Sequence, residues 1–509
     1  MSADPRLPAE LRRWADACIL PGFDGPRAPD WLRRRIAEGV RGVVLYHANM
    51  AGPEALAQLT AELRAENPDL IIGLDEEGGD VTRLHLTEGS PWPGHLTLGQ
   101  ADDPDLTRRT ARSIGSRLAE LGVNLDLAPV VDVNTAAGNP VIGTRSFGAD
   151  PARVAAQGAA YVEGLQSTGV AGCAKHFPGH GATTVDSHHD LPRVTEEREA
   201  FEEIALPPFR AAIAADVAAV MTAHILLPCY DTVPATISRT LLTGVLRERL
   251  GFTGAVITDS LEMRAVHDRY GIAGTALRAV AAGADALCVG TRHGEARAQL
   301  LREELVGAVL RGELAAERLA EAAARVEALA ARAVLRPAGA PPSSDAGPPA
   351  EDGAGLRAAR QALLVREVPV LRQAPVVLEF QDEPTPAIGD TAWGLGSLLA
   401  EALAGTEVLD VLPDAAPSVG HLPAVRPIVA VVRDLHRHPA TLAAVTALLA
   451  ARPRTVLVEM GLPHHQPHSP GGYLATYGAS RVAALAAAEV LLGTAPPATP
   501  CSGKRPDAP

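Results

Sequence analysis

The chain has 509 residues, too many for one ordinary hydrophobic core, so its length predicts two or three domains. Hydrophobic residues at 47% and charged residues at 21% describe a globular protein, and aromatics at 3% leave few rings for base stacking. A formal net charge of -14 with no basic run argues against a nucleic-acid partner.

In chain order, the N-terminal stretch holds no apolar signal core, and no segment reaches about 18 uninterrupted apolar residues. No membrane partner is expected, and a cytoplasmic location is predicted. Cys18, Cys173, Cys229, Cys288 and Cys501 are odd in number, far apart and without metal-type spacing, which fits a reducing compartment. Short apolar runs then recur at Ala17–Leu20, Gly42–Tyr46, Leu70–Leu74, Val123–Leu127, Val170–Ala174, Val217–Thr222, Ala255–Ile257 and Ala284–Val289. Helix-like stretches lie between them: Pro53–Asn67, Asp105–Leu121, Pro151–Ser167, Glu196–Ala215, Ser238–Leu250 and Leu261–Ala282, with Asp105 and Ser238 in cap positions. Strands without alternation, separated by helices, mean a parallel sheet covered on both faces. The number of units predicts a closed (β/α)8 TIM-like barrel over 1–335, with an open doubly wound sheet as the alternative.

Residues 336–354 are rich in Pro and Gly and read as a linker. Strands at Val376–Phe380, Glu407–Val411, Ile428–Val432 and Thr455–Glu459 follow, among helix-like Trp393–Leu403, Pro439–Ala451 and Ala479–Leu492. They predict a smaller α/β domain, an αβα sandwich, over 355–496, and a frayed tail over 497–509. The His464-His465-Gln466-Pro467-His468 cluster reads as a solvated loop, because nothing supplies a matching metal-ligand set. Neither metal nor organic cofactor is expected.

Polar residues close the apolar runs of the first domain: Tyr46 and His47, Asp75 to Gly79, Asp132 and Asn134, Lys175 and His176, His224, then Thr258 and Asp259. A barrel active site requires such a succession, because its βα loops converge on one face. The densest stretch is K-H-F-P-G-H-G-A-T-T-V-D-S-H, Lys175 to His188. Asp186 and His188 stand two residues apart and meet if the loop curls, which gives an imidazole whose proton a carboxylate controls. Asp259, closing G-A-V-I-T-D-S, is a candidate nucleophile, base or metal ligand, with a helix N-cap as the alternative. Asp75, Arg83, Arg145 and Lys175 offer the charged, bidentate contacts that sugar hydroxyls accept; Asp75 and Arg83 are alternatively a structural ion pair.

Four stretches together resemble glycoside hydrolase family 3: D-E-E-G-G-D-V-T-R (75–83), N-P-V-I-G-T-R-S-F (139–147), the 175–188 loop and I-T-D-S-L-E-M (257–263). The 175–188 loop is similar to that of the N-acetyl-β-glucosaminidase (NagZ-type) branch. The resemblance implies Asp259 as nucleophile, His188 as general acid/base and Asp186 as the residue that orients and charges it. It also implies Asp75, Arg83, Arg145, Lys175 and His176 as contacts to the terminal sugar. The chain departs from the pattern at Glu76 (commonly Gln or His), Asp80 (commonly Arg) and Ala182 (commonly Asp or Asn).

The function so implied is a retaining exo-β-N-acetylglucosaminidase acting on terminal β-linked GlcNAc of peptidoglycan- or chitin-derived fragments. Its partner is a small carbohydrate. A phosphorylase using phosphate as acceptor on the same residues, and a catalytically dead sugar-binding protein, are the alternatives. Gly179 and Gly181 are expected hinges of the loop, and nothing in the sequence sets an oligomeric state.

Overall fold

The computed structural model describes residues 7–333, 353–381, 385, 387–412 and 425–495. Most of the expected linker and all of the expected tail lie outside these residues. Contacts group the chain into two compact units. One holds residues 1–76, 108–142 and 150–352, the other 77–107, 143–149 and 353–509.

In the first unit each of the eight apolar runs forms a strand: β1 (Ile19–Pro21), β2 (Gly42–Val44), β3 (Ile71–Leu74), β4 (Leu125–Asp126), β5 (Ala171–Phe177), β6 (Ala219–Thr222), β7 (Ala255–Thr258) and β8 (Leu287–Val289). All their residues are buried, which is why the runs show no alternation. Strands β2 to β7 pair in sequence order and in parallel. Ile257 of β7 bridges Ala286, and β8 pairs in parallel with β1. Leu20 of β1 lies against Gly42 of β2, where a Cβ would come within 2.6 Å of its Cδ2. The strands therefore follow one another around a ring, a (β/α)8 barrel. Leu20, Val44, Ile71, Leu125, Cys173, Met221, Ile257 and Cys288 fill it.

The expected helices form with shifted ends, and Leu7–Ala17, Asp30–Glu38, Gly294–Leu310 and Ala316–Arg332, not among the expected stretches, add to them. Ser238 caps its helix, its Oγ accepting from Leu241 N at 3.2 Å. The helix Pro104–Glu120 is capped by Asp103, whose Oδ1 accepts from Asp105 N and Leu106 N at 3.0 and 3.2 Å. The expected cap, Asp105, is instead inside the first turn, because Pro104 takes the opening helical position. The closing helix Ala316–Arg332 buries Leu319, Ala323, Val326 and Ala330, spaced at helical intervals. Among the described residues no helix is long and apolar enough to cross a membrane.

The second unit contains a six-stranded sheet: β9 (Leu364–Arg366), β10 (Val376–Phe380), β11 (Glu407–Val411), β12 (Ile428–Val432), β13 (Val456–Glu459) and β14 (Tyr473–Ala475). The order is β11-β10-β12-β13-β14-β9, parallel except for β9. Alternate residues serve opposite faces. Val377, Val429, Val431 and Val458 pack with Leu399, Ala487 and Leu491 of Gly396–Ala402 and Arg481–Leu492. Leu378, Ala430, Val432 and Leu457 pack with Val445 and Leu448 of Pro439–Ala451. These are the three layers of an αβα sandwich.

Candidate active site

In the barrel unit the candidate residues gather at the C-terminal ends of β3, β5 and β7. The pairing of β5 with β6 shifts between Ala174 and Phe177, a bulge of the kind that re-aims side chains. The chain beyond β4 runs beside this irregular stretch. Val131 N donates to Lys175 O at 2.7 Å, and Lys175 N donates to Pro129 O at 3.0 Å. Asp132 is thereby brought to His176.

Lys175 Nζ lies 2.7 Å from Asp75 Oδ1, with the lysine side chain 2% exposed and the aspartate 19%. An ammonium so buried requires a nearby carboxylate. His176 Nδ1 sits 2.7 Å from Asp132 Oδ2, while Asp132 also accepts the backbone N–H of His176 at 3.2 Å and that of His180 at 2.6 Å. Burial pushes the Asp132 carboxyl up, but the His176 charge and these hydrogen bonds bring it below the usual range. One buried carboxylate thus fixes both ends of the H-F-P-G-H turn.

The loop continues on defined supports. Asn139 Nδ2 donates to the carbonyls of His180 and Gly181 at 3.0 and 3.2 Å, while its Oδ1 accepts from Val141 N and Ile142 N. A Cβ on Gly181 would stand 1.8 Å from Val133 O, so close backbone approach accounts for this glycine. His180 is buried, with Nδ1 2.8 Å from Thr183 Oγ1 and Nε2 3.2 Å from Ser187 Oγ. Burial lowers its pKa to about 4, so the ring is neutral at pH 7.

Asp186 Oδ1 accepts the backbone N–H of His188 at 2.8 Å and stands 2.8 Å from its ring Nδ1. The Asp186 carbonyl accepts from His189 N and Asp190 N. An Asp that bonds the backbone two residues on makes a turn of its own, the physical basis of the Asp-X-His spacing. The carboxylate only accepts, so Nδ1 carries hydrogen and Nε2 is the proton-exchanging nitrogen. Burial raises the Asp186 carboxyl, and the hydrogen bonds and charge of His188 more than reverse this, leaving it below its ordinary value.

Asp259 follows β7, with Oδ1 accepting from Ser260 N at 2.7 Å. The next helix begins only at Arg264, so Asp259 is not its cap. Burial raises the Asp259 carboxyl, but His224, His176 and His188 outweigh it and hold it below the usual carboxylate range. It is an ionised carboxylate among three imidazoles.

Arg83 and Arg145 belong to the second unit. Arg145 makes a bidentate pair with Glu77, Nε to Oε2 at 2.9 Å and Nη2 to Oε1 at 2.7 Å, and Arg83 Nη2 donates to Ala387 O at 3.1 Å. Asp80, where the family pattern commonly has Arg, accepts from Thr144 Oγ1 at 2.6 Å and Ala479 N at 2.9 Å. In the same unit the His464 ring stands edge-on to His436, centroids 4.9 Å apart. Among the described residues no group of three His, Cys, Asp or Glu is arranged to hold a metal ion.

Sequence reasoning assigned no role to Asp132, His224 or Glu77. All three were visible only as polar residues at strand ends, Glu77 also inside a quoted motif.

A closed barrel with an ionised strand-end carboxylate and an Asp-paired imidazole at one mouth is the equipment of a group-transfer enzyme. The Glycosyl hydrolase family 3 N terminal domain matches residues 31–329. A beta-hexosaminidase of Stenotrophomonas maltophilia is 39% identical over 271 residues, 51% of this chain and 78% of that protein. Beta-hexosaminidase A of Pseudoalteromonas piscicida is 32% identical over 316 residues, 57% of this chain and 53% of that protein. The chain therefore spans about half the length of the Pseudoalteromonas relative. The solved family 3 beta-N-acetylglucosaminidase of Paenibacillus sp. str. FPU-7 superposes with a TM-score of 0.85 at 33% identity, covering 95% of this chain and 97% of that one. The chain belongs to glycosyl hydrolase family 3.

Proposed function

We propose that the protein is a retaining exo-β-N-acetylglucosaminidase that removes terminal β-linked GlcNAc from peptidoglycan- or chitin-derived fragments in the cytoplasm. The observation that carries this reading is the Asp186–His188 pair, 2.8 Å apart, in the loop whose His188 charge bears on the ionised Asp259. In the first step the Asp259 carboxylate attacks the anomeric carbon, and His188, as imidazolium, delivers its Nε2 proton to the departing glycosidic oxygen. The sugar is then esterified to Asp259, and His188 is neutral. In the second step His188 takes a proton from water, whose oxygen attacks the anomeric carbon. Asp259 is released, and the β configuration returns. Asp186 compensates the imidazolium charge while it exists. Lys175, Asp75 and His176 are assigned to the sugar hydroxyls, and so are Arg83 and Arg145 by their match to the family motifs.

A second reading follows from the same acid/base. A neutral imidazole, unlike a carboxylate, does not repel an anion, so phosphate can replace water in the second step and give the sugar 1-phosphate. Incubation with a chromogenic β-GlcNAc glycoside, with and without phosphate, separates the readings. Free GlcNAc in both conditions is the expected result, and a 1-phosphate product selects the phosphorylase. No release from folded protein in either condition overturns both, leaving a sugar-binding protein without turnover.

A further inference from the structure

Asp259 stands between backbone that is tied down on either side. Thr258 N donates to Ala286 O at 2.9 Å, and Thr258 Oγ1 accepts from Cys288 N at 3.1 Å. The peptide between Ser260 and Leu261 is held on both edges. Its N–H donates to Cys288 O at 3.1 Å, and its carbonyl faces His224 Nε2 at 3.0 Å. His224 stands beyond the end of β6 and is wholly buried, with Nδ1 2.7 Å from Thr236 Oγ1. That hydroxyl is itself fixed, 2.9 Å from Thr222 Oγ1 and 2.9 Å from Ala223 O. Both ring nitrogens are engaged, and each partner makes further hydrogen bonds or belongs to a peptide that does.

We propose that His224 is the positioning residue for the nucleophile: acting through the Ser260 carbonyl, it sets the direction in which the Asp259 carboxylate points. The inference rests on Asp259 being the nucleophile. A carbonyl only accepts, so Nε2 carries a hydrogen and donates it to Ser260 O, while the Thr236 hydroxyl gives its one hydrogen to Ala223 O and meets Nδ1 through its oxygen. The Nε2 hydrogen alone makes the bond to the Ser260 carbonyl. Removing the ring leaves the Ser260–Leu261 peptide held on one edge only, by Cys288 O, and loosens the backbone that carries the Asp259 side chain and its Ser260 N partner.

The test uses the full chain with His224→Ala, His224→Gln, whose amide nitrogen reaches toward the same carbonyl, and Thr236→Val. Each is assayed on β-GlcNAc glycosides with a good and a poor leaving group. His224→Ala is expected to lower kcat about 100-fold, the cost of misplacing a reacting group by roughly 1 Å, and equally on both substrates. KM stays within about threefold, and His224→Gln recovers about tenfold of the lost rate. A loss confined to the poor leaving group would assign His224 to proton delivery, a loss confined to KM to sugar binding, and an equal loss in Ala and Gln variants to packing. Each of these overturns the proposal.

A second measurement needs no turnover. Asp259 is labelled with a water-soluble carbodiimide and an amine across pH, and the modified peptide is quantified by mass spectrometry. The pH profile of labelling is expected to move in His224→Ala and return in His224→Gln, and a fixed profile overturns the positioning role. If the wild type releases no sugar while the profile moves, the functional reading has failed and the positioning role stands. Thr236→Val and His224→Gln carry both measurements if the alanine variant does not fold.

Discussion

Acid should weaken the 175–188 loop through one buried side chain. His180 has a pKa of about 4 in the folded protein, lowered from 6.5 by burial. Above pH 6.5 the ring is neutral whether the chain is folded or not, and its titration contributes nothing to the pH dependence of stability. Between 6.5 and about 4 the unfolded chain binds the proton and the native one resists it, so stability falls as pH falls. Below about 4 both states are protonated and the loss stops growing. At about 1.4 kcal/mol per pH unit the full effect is about 3 kcal/mol. The comparison is with His180→Gln, which is uncharged at every pH. Urea unfolding of both proteins at pH 7.5, 6.5, 5.5 and 4.5 should show the wild type losing ground to the variant as pH falls, by most of about 3 kcal/mol at the lowest pH. Other carboxylates cancel in the difference, and Asp132, held below the usual range, remains ionised throughout the window. Parallel curves, or a wild type that gains on the variant in acid, would refute the account of His180.

Four further outcomes follow from the site. Asp259→Ala should lower turnover by at least about 1000-fold, since a nucleophile has no substitute in a two-step displacement; a rate within tenfold of wild type contradicts its role. His188→Ala should lose little rate on a glycoside with a good leaving group and about 100-fold or more on a poor one, the signature of a missing general acid. Asp186 and Asp259 are both held below the ordinary carboxylate value. They stay ionised until the pH falls beneath about 3.8, so the pH–rate profile should carry no limb from either above about pH 4; a limb that Asp186→Asn removes at higher pH would refute this. Asp132→Ala takes away the acceptor of His176 and of the His180 amide. It should cost about 3–5 kcal/mol in urea unfolding, as breaking a buried charged pair does, and an unchanged midpoint speaks against that anchoring role.

The barrel was legible because its strands are buried on both faces. Ile71–Leu74 and Ala255–Thr258 read as unbroken apolar runs for that reason alone. Val376–Phe380 and Ile428–Val432 of the second unit were legible on the same ground. Leu364–Arg366 and Tyr473–Ala475 were not: the first is a largely exposed strand at the sheet edge, and the second sits between Gly472 and Thr476 with no longer apolar run around it. The Asp186–His188 pair was readable because an Asp bonding two residues ahead is a local event. Asp132 and His224 act on partners 44 and 36 residues away, and nothing in their neighbourhoods announces it. Gly181 was open to reading as a hinge, whereas its contact with Val133 O depends on a loop from another strand. The quoted motifs held Arg145 and Glu77, but the bidentate bond that joins them spans 68 residues and arises only from the tertiary fold.

The central claim is that sugar passes through a covalent bond to Asp259. A 5-fluoro β-GlcNAc glycoside with a good leaving group, which forms the glycosyl-enzyme faster than it is hydrolysed, should accumulate one sugar adduct per chain. Proteolysis and mass spectrometry should place it on the peptide containing Asp259, and the adduct should be absent from Asp259→Ala. An adduct on another carboxylate, or steady turnover with first-formed α-configured GlcNAc and no adduct, would contradict the account.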